Sequence, residues 1–246
     1  MKNLYLTIKN KLNGKDKLNK GNKMGTVSVQ NNLLYIKNQL APQIAEAVDA
    51  NGNAVHKYSE GKNTCDYIIT HYTASTNAQS AHQEYQDPTV QLSWHLTVDR
   101  DGNVFQLLPF DKIAWHAGVS SWMTGPNKIT DLNGYSIGIE HSNAGPLLAK
   151  GAQYETWSGQ TVPPEDVFTD ADGNAWQAYT PAQLAASKYL IVELAKIFQV
   201  HDILSHEMIA QPLGRKKDTG PAYAATLADI RQTYKSQVPS LGKSKK

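Results

Sequence analysis

The run Tyr67-Ile68-Ile69-Thr70-His71-Tyr72 limits what this chain can fold into more than any other stretch. It is β-rich and mostly apolar on consecutive positions, the pattern of a strand covered on both faces. Such a strand lies in the middle of a sheet and needs further layers packed against it. The histidine near its end is then carried toward the loops beyond the strand, where sites on α/β sheets form.

The remaining pattern supplies the neighbours. Residues 76–85 read as a short helix capped by Ser75 or Thr76. Residues 94–98 and 104–108 flank Asp99-Arg100-Asp101-Gly102-Asn103, a hairpin signal with Asp-Gly at its tip. Residues 135–140 form a second strand. Thr180-Pro181-Ala182-Gln183 is a capping box with proline at the first helical position. Leu184, Ile191, Leu194 and Phe198 follow it at helical spacing. Ile203-Leu204 is a short strand before His206, and Pro221 opens a last helix over about 222–234. The sequence therefore predicts an α/β fold, a mixed central sheet flanked by helices, in a single domain over 66–236. A Gly-, Pro- and Asp-rich insertion covers 143–179. A lead-in spans 31–65, a basic disordered extension 1–30, and a basic tail 237–246.

Composition narrows the function classes. With 246 residues and 40% hydrophobic content the chain can build one sizeable core. No apolar run approaches the ~20 residues of a membrane span, and the lysine-rich start lacks a secretory apolar stretch. Synthesis in the cytoplasm is expected. One cysteine, Cys65, excludes an internal disulfide and reads as a small buried hydrophobe. Any metal site must then be built from histidine and carboxylate. The net charge of +2 hides +6 in residues 1–24 and +3 in 242–246, which leaves −7 for the body between them. Basic ends are either solvated tails or a means of holding the protein near anionic polymers.

Two neutral imidazoles and one carboxylate suit a catalytic zinc that keeps a fourth position for water. His71, His206 and Asp218 offer that set, with Asp218 in an irregular loop bounded by Gly214 and Gly220-Pro221. The spacing is too long for a local metal motif, and each residue alone has an ordinary reading as a core histidine or a turn former. Alternation puts Ser136, Gly138 and Glu140 on one side of their strand. Glu140 is either a solvent-facing strand end or a general base beside an activated water. Lys216 is either part of the surface run Arg215-Lys216-Lys217 or an ammonium beside a developing oxyanion. Ala114-Trp115-His116-Ala117-Gly118 reads as a cleft wall, with His95 beside it; a core tryptophan with a surface histidine is the other reading.

In this order the pieces resemble the zinc-dependent N-acetylmuramoyl-L-alanine amidases, the family of phage lysis amidases, muropeptide-recycling amidases and peptidoglycan recognition proteins. The segments are Ile-Ile-Thr-His71-Tyr-Thr-Ala, Ser-Trp-His95-Leu with Arg-Asp-Gly-Asn-Val, and Pro-Phe-Asp-Lys-Ile-Ala-Trp-His116-Ala-Gly. Ser-Ile-Gly-Ile-Glu140, Leu-Ser-His206-Glu and Gly-Arg-Lys216-Lys-Asp218-Thr-Gly-Pro complete the set. The resemblance implies Zn2+ on His71, His206 and Asp218, Glu140 and Lys216 as the catalytic pair, and substrate contacts from His95, Trp115, His116 and Arg215. It implies hydrolysis of the amide between the lactyl group of N-acetylmuramic acid and L-alanine. Some members carry a catalytic tyrosine just before the histidine at 95; Trp94 stands here and shifts the weight to Glu140.

The expected partner is peptidoglycan or a muropeptide, not nucleic acid, met by a monomer. A phage-type lysis enzyme would act in the periplasm or cell wall after release. A cytoplasmic recycling amidase acting on soluble anhydromuropeptides, a non-catalytic peptidoglycan-binding module, and a zinc hydrolase of another specificity are the alternatives.

Overall fold

The structure is a computed structural model that describes residues 25–238. Tyr67–Tyr72 forms β1, an interior strand of a five-stranded sheet. The other strands are β2 (Leu96–Val98), β3 (Val104–Gln106), β4 (Ser136–His141) and β5 (Asp202–Ser205). Their spatial order is β5-β1-β4-β2-β3. The first four run parallel, and β3 returns antiparallel to β2 through the Asp-Gly turn. The sheet is mixed and flanked by helices, as the sequence predicts.

Among the described residues four α-helices complete the frame: α1 (Ala78–Gln86), α2 (Pro181–Phe198), the single turn α3 (His206–Ile209) and α4 (Pro221–Gln237). The cap of α1 is Asn77, not Ser75 or Thr76: its Oδ1 accepts the Ser80 N–H at 2.9 Å. Asp99 Oδ1 accepts the Ala78 N–H at 3.1 Å, so the β2–β3 turn also serves that helix end.

Alternation along the strands divides the core. Ile68, Ile137, Ile139 and Ile203 face one side and pack with Leu190, Ile191, Leu194, Tyr223, Leu227 and Ile230 of α2 and α4. Tyr67, Ile69 and Leu204 face the other, against Ala117, Leu132 and Ile209. Each fully buried aliphatic side chain here contributes about 1.5–3 kcal/mol. His71 shares the parity of Tyr67 and Ile69 and leaves the sheet on that second side.

Residues 1–24 lie outside the described residues, as do 239–246. The reading of 1–30 as a disordered extension is corrected at its end: Val27–Gln30 is a strand paired with Leu33–Ile36, and Val27 is buried in the main core. The chain then runs along the edge strand β3. The Gln106 N–H donates to Pro42 O and the Ile44 N–H donates to Gln106 O, both at 2.9 Å. An edge that would otherwise expose unpaired backbone groups is thereby covered.

The 143–179 insertion is a small β structure. Leu148–Lys150, Gln153–Glu155 and Thr161–Val162 make one sheet, and Val167–Thr169 pairs with Ala175–Gln177. Ala144, Leu147, Val162 and Ala175 give it its own apolar centre. Arg100 ties it to the β2–β3 turn by donating to Asp166 Oδ2 at 2.7 Å and Ala178 O at 2.9 Å. One five-residue turn, Asp-x-Asp/Asn-Gly-Asn, recurs at 49–53, 99–103 and 170–174. In each the Asp N–H donates to the Asn carbonyl and the Gly N–H returns to the Asp carbonyl. Among the described residues no helix is long and apolar enough to cross a membrane.

Thr180 joins α2 to the hairpin. Its Oγ1 accepts the Gln183 N–H at 3.1 Å and donates to Arg100 O. Thr180→Ala should lower stability by about 1–2 kcal/mol in urea denaturation; an unchanged midpoint and slope would remove the cap from the account of α2.

Candidate metal centre

Parallel strands put their C-terminal ends on one side of the sheet, and that geometry assembles the centre. His71 is the penultimate residue of β1 and lies in register with Glu140, the penultimate residue of β4. β5 ends with Ser205 opposite Thr70, so His206 opens α3 one residue beyond. The loop after α3 brings Asp218 back: Asp218 O accepts the Glu207 N–H at 2.8 Å, and Thr219 O accepts the Tyr179 O–H at 2.9 Å. Four residues from separate elements become neighbours because three strand ends and one return loop meet.

The donor atoms form a tight triangle. His71 Nδ1 lies 3.0 Å from His206 Nδ1 and 3.0 Å from Asp218 Oδ2, and His206 Nδ1 lies 2.9 Å from Asp218 Oδ2. All three residues are buried. Burial pushes the His71 imidazole down to about 4, against the pull of Asp218. Burial alone would raise the Asp218 carboxyl, but the His206 and His71 imidazoles beside it prevail and hold it below the usual carboxylate range.

Protons on two neutral rings cannot satisfy every side of this triangle. His206 Nε2 faces the Ala117 carbonyl at 3.1 Å, and a carbonyl only accepts. A neutral His206 therefore has its hydrogen on Nε2 and a bare lone pair on Nδ1. That lone pair points at another nitrogen and at a carboxylate oxygen. A divalent cation removes the conflict. Tetrahedral sites with bonds of about 2.0–2.1 Å have edges near 3.3 Å, slightly wider than the triangle here. Two neutral imidazoles and one carboxylate leave such an ion one positive charge. The donor set fits a metal ion.

Glu140 stands beside this set. It is half-buried, and its Oε2 is shielded from solvent with no hydrogen-bond partner among the described residues. Burial pushes its carboxyl well above the usual range, the Asp218 charge adds to the rise, and Lys216 opposes it. Lys216 is exposed on the Asp218 loop. Tyr72, which sequence reading passed over, is half-buried at the end of β1, its ring against Gly145. Burial and the charges of Asp218 and Glu140 raise its phenol to about 12. Its place directly after His71 was the signal available.

The structure buries two of the four expected substrate contacts, His95 and His116, and leaves Trp115 and Arg215 at least partly open. His95 is fully buried, accepts the Gly138 N–H on Nδ1 at 3.0 Å and donates from Nε2 to Lys112 O at 3.0 Å. Both ring nitrogens are committed to main chain, so it has nothing to offer a ligand. His116 is buried as well, with Nδ1 3.0 Å from His71 Nε2 and Nε2 3.3 Å from Ser136 Oγ. It lies flat on the sheet because position 138 is glycine: a Cβ there would come within 2.6 Å of the ring. It belongs to the framework behind the centre and not to a cleft wall. Trp115 is half-buried and donates its indole N–H to Ser59 Oγ of the lead-in at 2.8 Å. Arg215 is exposed, and it straps its loop by donating to Gln211 O at 2.9 Å and Val119 O at 3.0 Å. Trp94 is buried against Tyr85 and donates to Thr97 Oγ1 at 2.8 Å.

The insertion reaches the same region. Trp176 packs on Gly220, whose φ of +77° and 3.0 Å clearance to the indole both call for glycine. Trp157, 69% exposed, donates its indole N–H to Ala74 O at 2.7 Å, three residues beyond His71.

Residues 61–221, well over half of the chain, match the family model described as N-acetylmuramoyl-L-alanine amidase. The chain is 38% identical over 85 residues to the 1,6-anhydro-N-acetylmuramyl-L-alanine amidase AmpD of Escherichia coli, covering 35% of this chain and 44% of that protein. It is 40% identical over 78 residues to the N-acetylmuramoyl-L-alanine amidase CwlH of Bacillus subtilis, covering 30% and 28%. The matched segments thus span less than half of these relatives' own length. The E. coli amidase AmiD, solved with anhydro-N-acetylmuramic acid-L-Ala-D-gamma-Glu-L-Lys, shares the fold. Its TM-score is 0.50 at 24% identity, over 74% of this chain and 65% of that one.

Gly138→Ala tests the close approach of His116. The added methyl should cost about 1–3 kcal/mol by overpacking, read as a lower thermal midpoint. An unaltered midpoint would mean that the ring does not rest on the strand.

Proposed function

The chain belongs to the N-acetylmuramoyl-L-alanine amidase family, and we propose on that premise that it hydrolyses the amide joining the lactyl group of N-acetylmuramic acid to L-alanine in peptidoglycan. His71, His206 and Asp218 would hold a zinc ion. The observation that carries the reading is the convergence of three potential metal-donor atoms beside Glu140, whose Oε2 has no partner among the described residues. Zinc bound there supplies a Lewis acid for water and for the scissile carbonyl.

The chain's own groups do the rest. Glu140, kept basic enough by its burial and steered by Lys216, takes the proton of the attacking water on its carboxylate. The same carboxylate, by whichever oxygen faces the water, then delivers that proton to the alanine nitrogen as the C–N bond breaks. The Lys216 ammonium, free of the core on its loop, approaches the carbonyl oxygen as negative charge grows there. Trp94, buried and hydrogen-bonded to Thr97, takes no part. A complete donor set with an adjacent carboxylate favours an enzyme over a module that only binds.

Intact wall is the substrate we infer. The basic ends of the sequence suit an anionic polymer, and the exposed face of Trp157 near the end of β1 suits a sugar ring. Soluble anhydromuropeptide is the competing substrate, favoured by the names of the AmpD relatives. Mass spectrometry of both materials after digestion names the bond and the preferred size. Free stem peptides beginning with L-alanine are expected, and more rapidly from wall than from soluble fragments. Cleavage at a glycosidic bond or within the peptide would overturn the assignment.

Glu140→Ala should reduce turnover by about 10²–10⁴-fold while the protein still takes up one equivalent of zinc. Near-normal turnover by that variant would exclude Glu140 as the proton carrier.

A further inference from the structure

Resting on the zinc reading above, we propose that His116 and Ser136 form a proton-ordered relay that fixes the His71 tautomer and presents a bare Nδ1 to the metal.

The relay follows from one carbonyl. Ser136 Oγ lies 2.6 Å from Leu132 O, which only accepts, so the single hydroxyl hydrogen of Ser136 is spent there. Its oxygen is then an acceptor toward His116 Nε2 at 3.3 Å, and the hydrogen in that contact belongs to the imidazole. His116 is 9% exposed and carries one ring hydrogen in its neutral form; with Nε2 protonated, Nδ1 is bare. Across 3.0 Å from that bare nitrogen stands His71 Nε2, which must donate. The remaining ring nitrogen of His71, Nδ1, is left with its lone pair in the donor triangle.

His206 reaches the same state by a shorter route, through Ala117 O. The two nitrogen donors are therefore set by two separate main-chain carbonyls, one directly and one through two side chains. Without the relay His71 is free to place its hydrogen on Nδ1, toward Asp218, and that form cannot bind a cation. His116 touches neither substrate nor metal in this account; it is a positioning residue, and Gly138 is what lets it lie close enough. Partners of this kind typically change metal affinity by about 10–100-fold.

The direct test is the ring-nitrogen state in the zinc-loaded full chain, read from long-range proton–nitrogen correlation spectra. The expected result is hydrogen on Nε2 and none on Nδ1 for both His116 and His71. Hydrogen on His116 Nδ1 would overturn the relay. Zinc affinity by chelator competition gives a second reading, with folding checked by circular dichroism. His116→Phe should weaken binding about 10–100-fold, and Ser136→Ala should weaken it less. His116→Gln, whose carboxamide can both accept and donate, should recover most of the loss. Wild-type affinity in a folded His116→Phe would sink the relay. A wild-type chain that takes up no zinc defeats the reading of the site itself, whereas a zinc-loaded chain with the opposite tautomer defeats only the relay.

Discussion

Nitrogen and oxygen donor atoms crowd one another unless something is shared between them, and this fold holds three of them within about 3 Å in a buried place. Such an arrangement survives only where the surroundings forbid each group from turning away. Much of the architecture has that effect. Three parallel strands end side by side and fix the Cα positions of His71, Glu140 and the start of α3. On the far side the Ala117 carbonyl accepts the ring hydrogen of His206, and the Leu132 carbonyl accepts the hydroxyl hydrogen of Ser136 beneath His116. The return loop is fastened to α3 through Glu207 and to the insertion through Tyr179 and Trp176.

A good part of this was legible in the sequence, for identifiable reasons. β1, α2 and α4 carry strong local signals: a continuous apolar run, a capping box and a proline opening. Period-two alternation placed Glu140 correctly on the side of Gly138 and Ser136. His71, His206 and Asp218 were individually ambiguous, and their order along the chain with the neighbouring motifs made them candidates. The recurrent Asp-x-Asp/Asn-Gly-Asn turn was readable in all three copies, although only the one between β2 and β3 stood between obvious strands.

What escaped the sequence was the direction in which rings point. Ala114–Gly118 has the composition of a ligand-binding wall, yet His116 turns inward because glycine at 138, on another strand, leaves room for it. His95 looks equally available until the Gly138 N–H and the Lys112 carbonyl are seen to occupy it. Both facts depend on the register between β4 and its neighbours, which no local pattern records. The cap of α1 was missed by one or two residues because Ser75, Thr76 and Asn77 are all competent caps.

The opposite face of the sheet carries a parallel case. His141, fully buried, donates from Nδ1 to the His71 carbonyl at 2.9 Å, and Ser187 of α2 and Tyr223 of α4 continue that chain of hydrogen bonds. The main chain of His71 is thus fastened into the apolar core between the two long helices. Stability and the geometry of the centre are coupled there in a way that works against evolution and engineering alike. Exchanging Ser187 or Tyr223 for a well-packed hydrocarbon would strengthen the core by ordinary measures while releasing the backbone that aims His71 into the donor triangle. Selection for thermostability alone would therefore tend to erode the centre from behind, through residues that never meet the substrate.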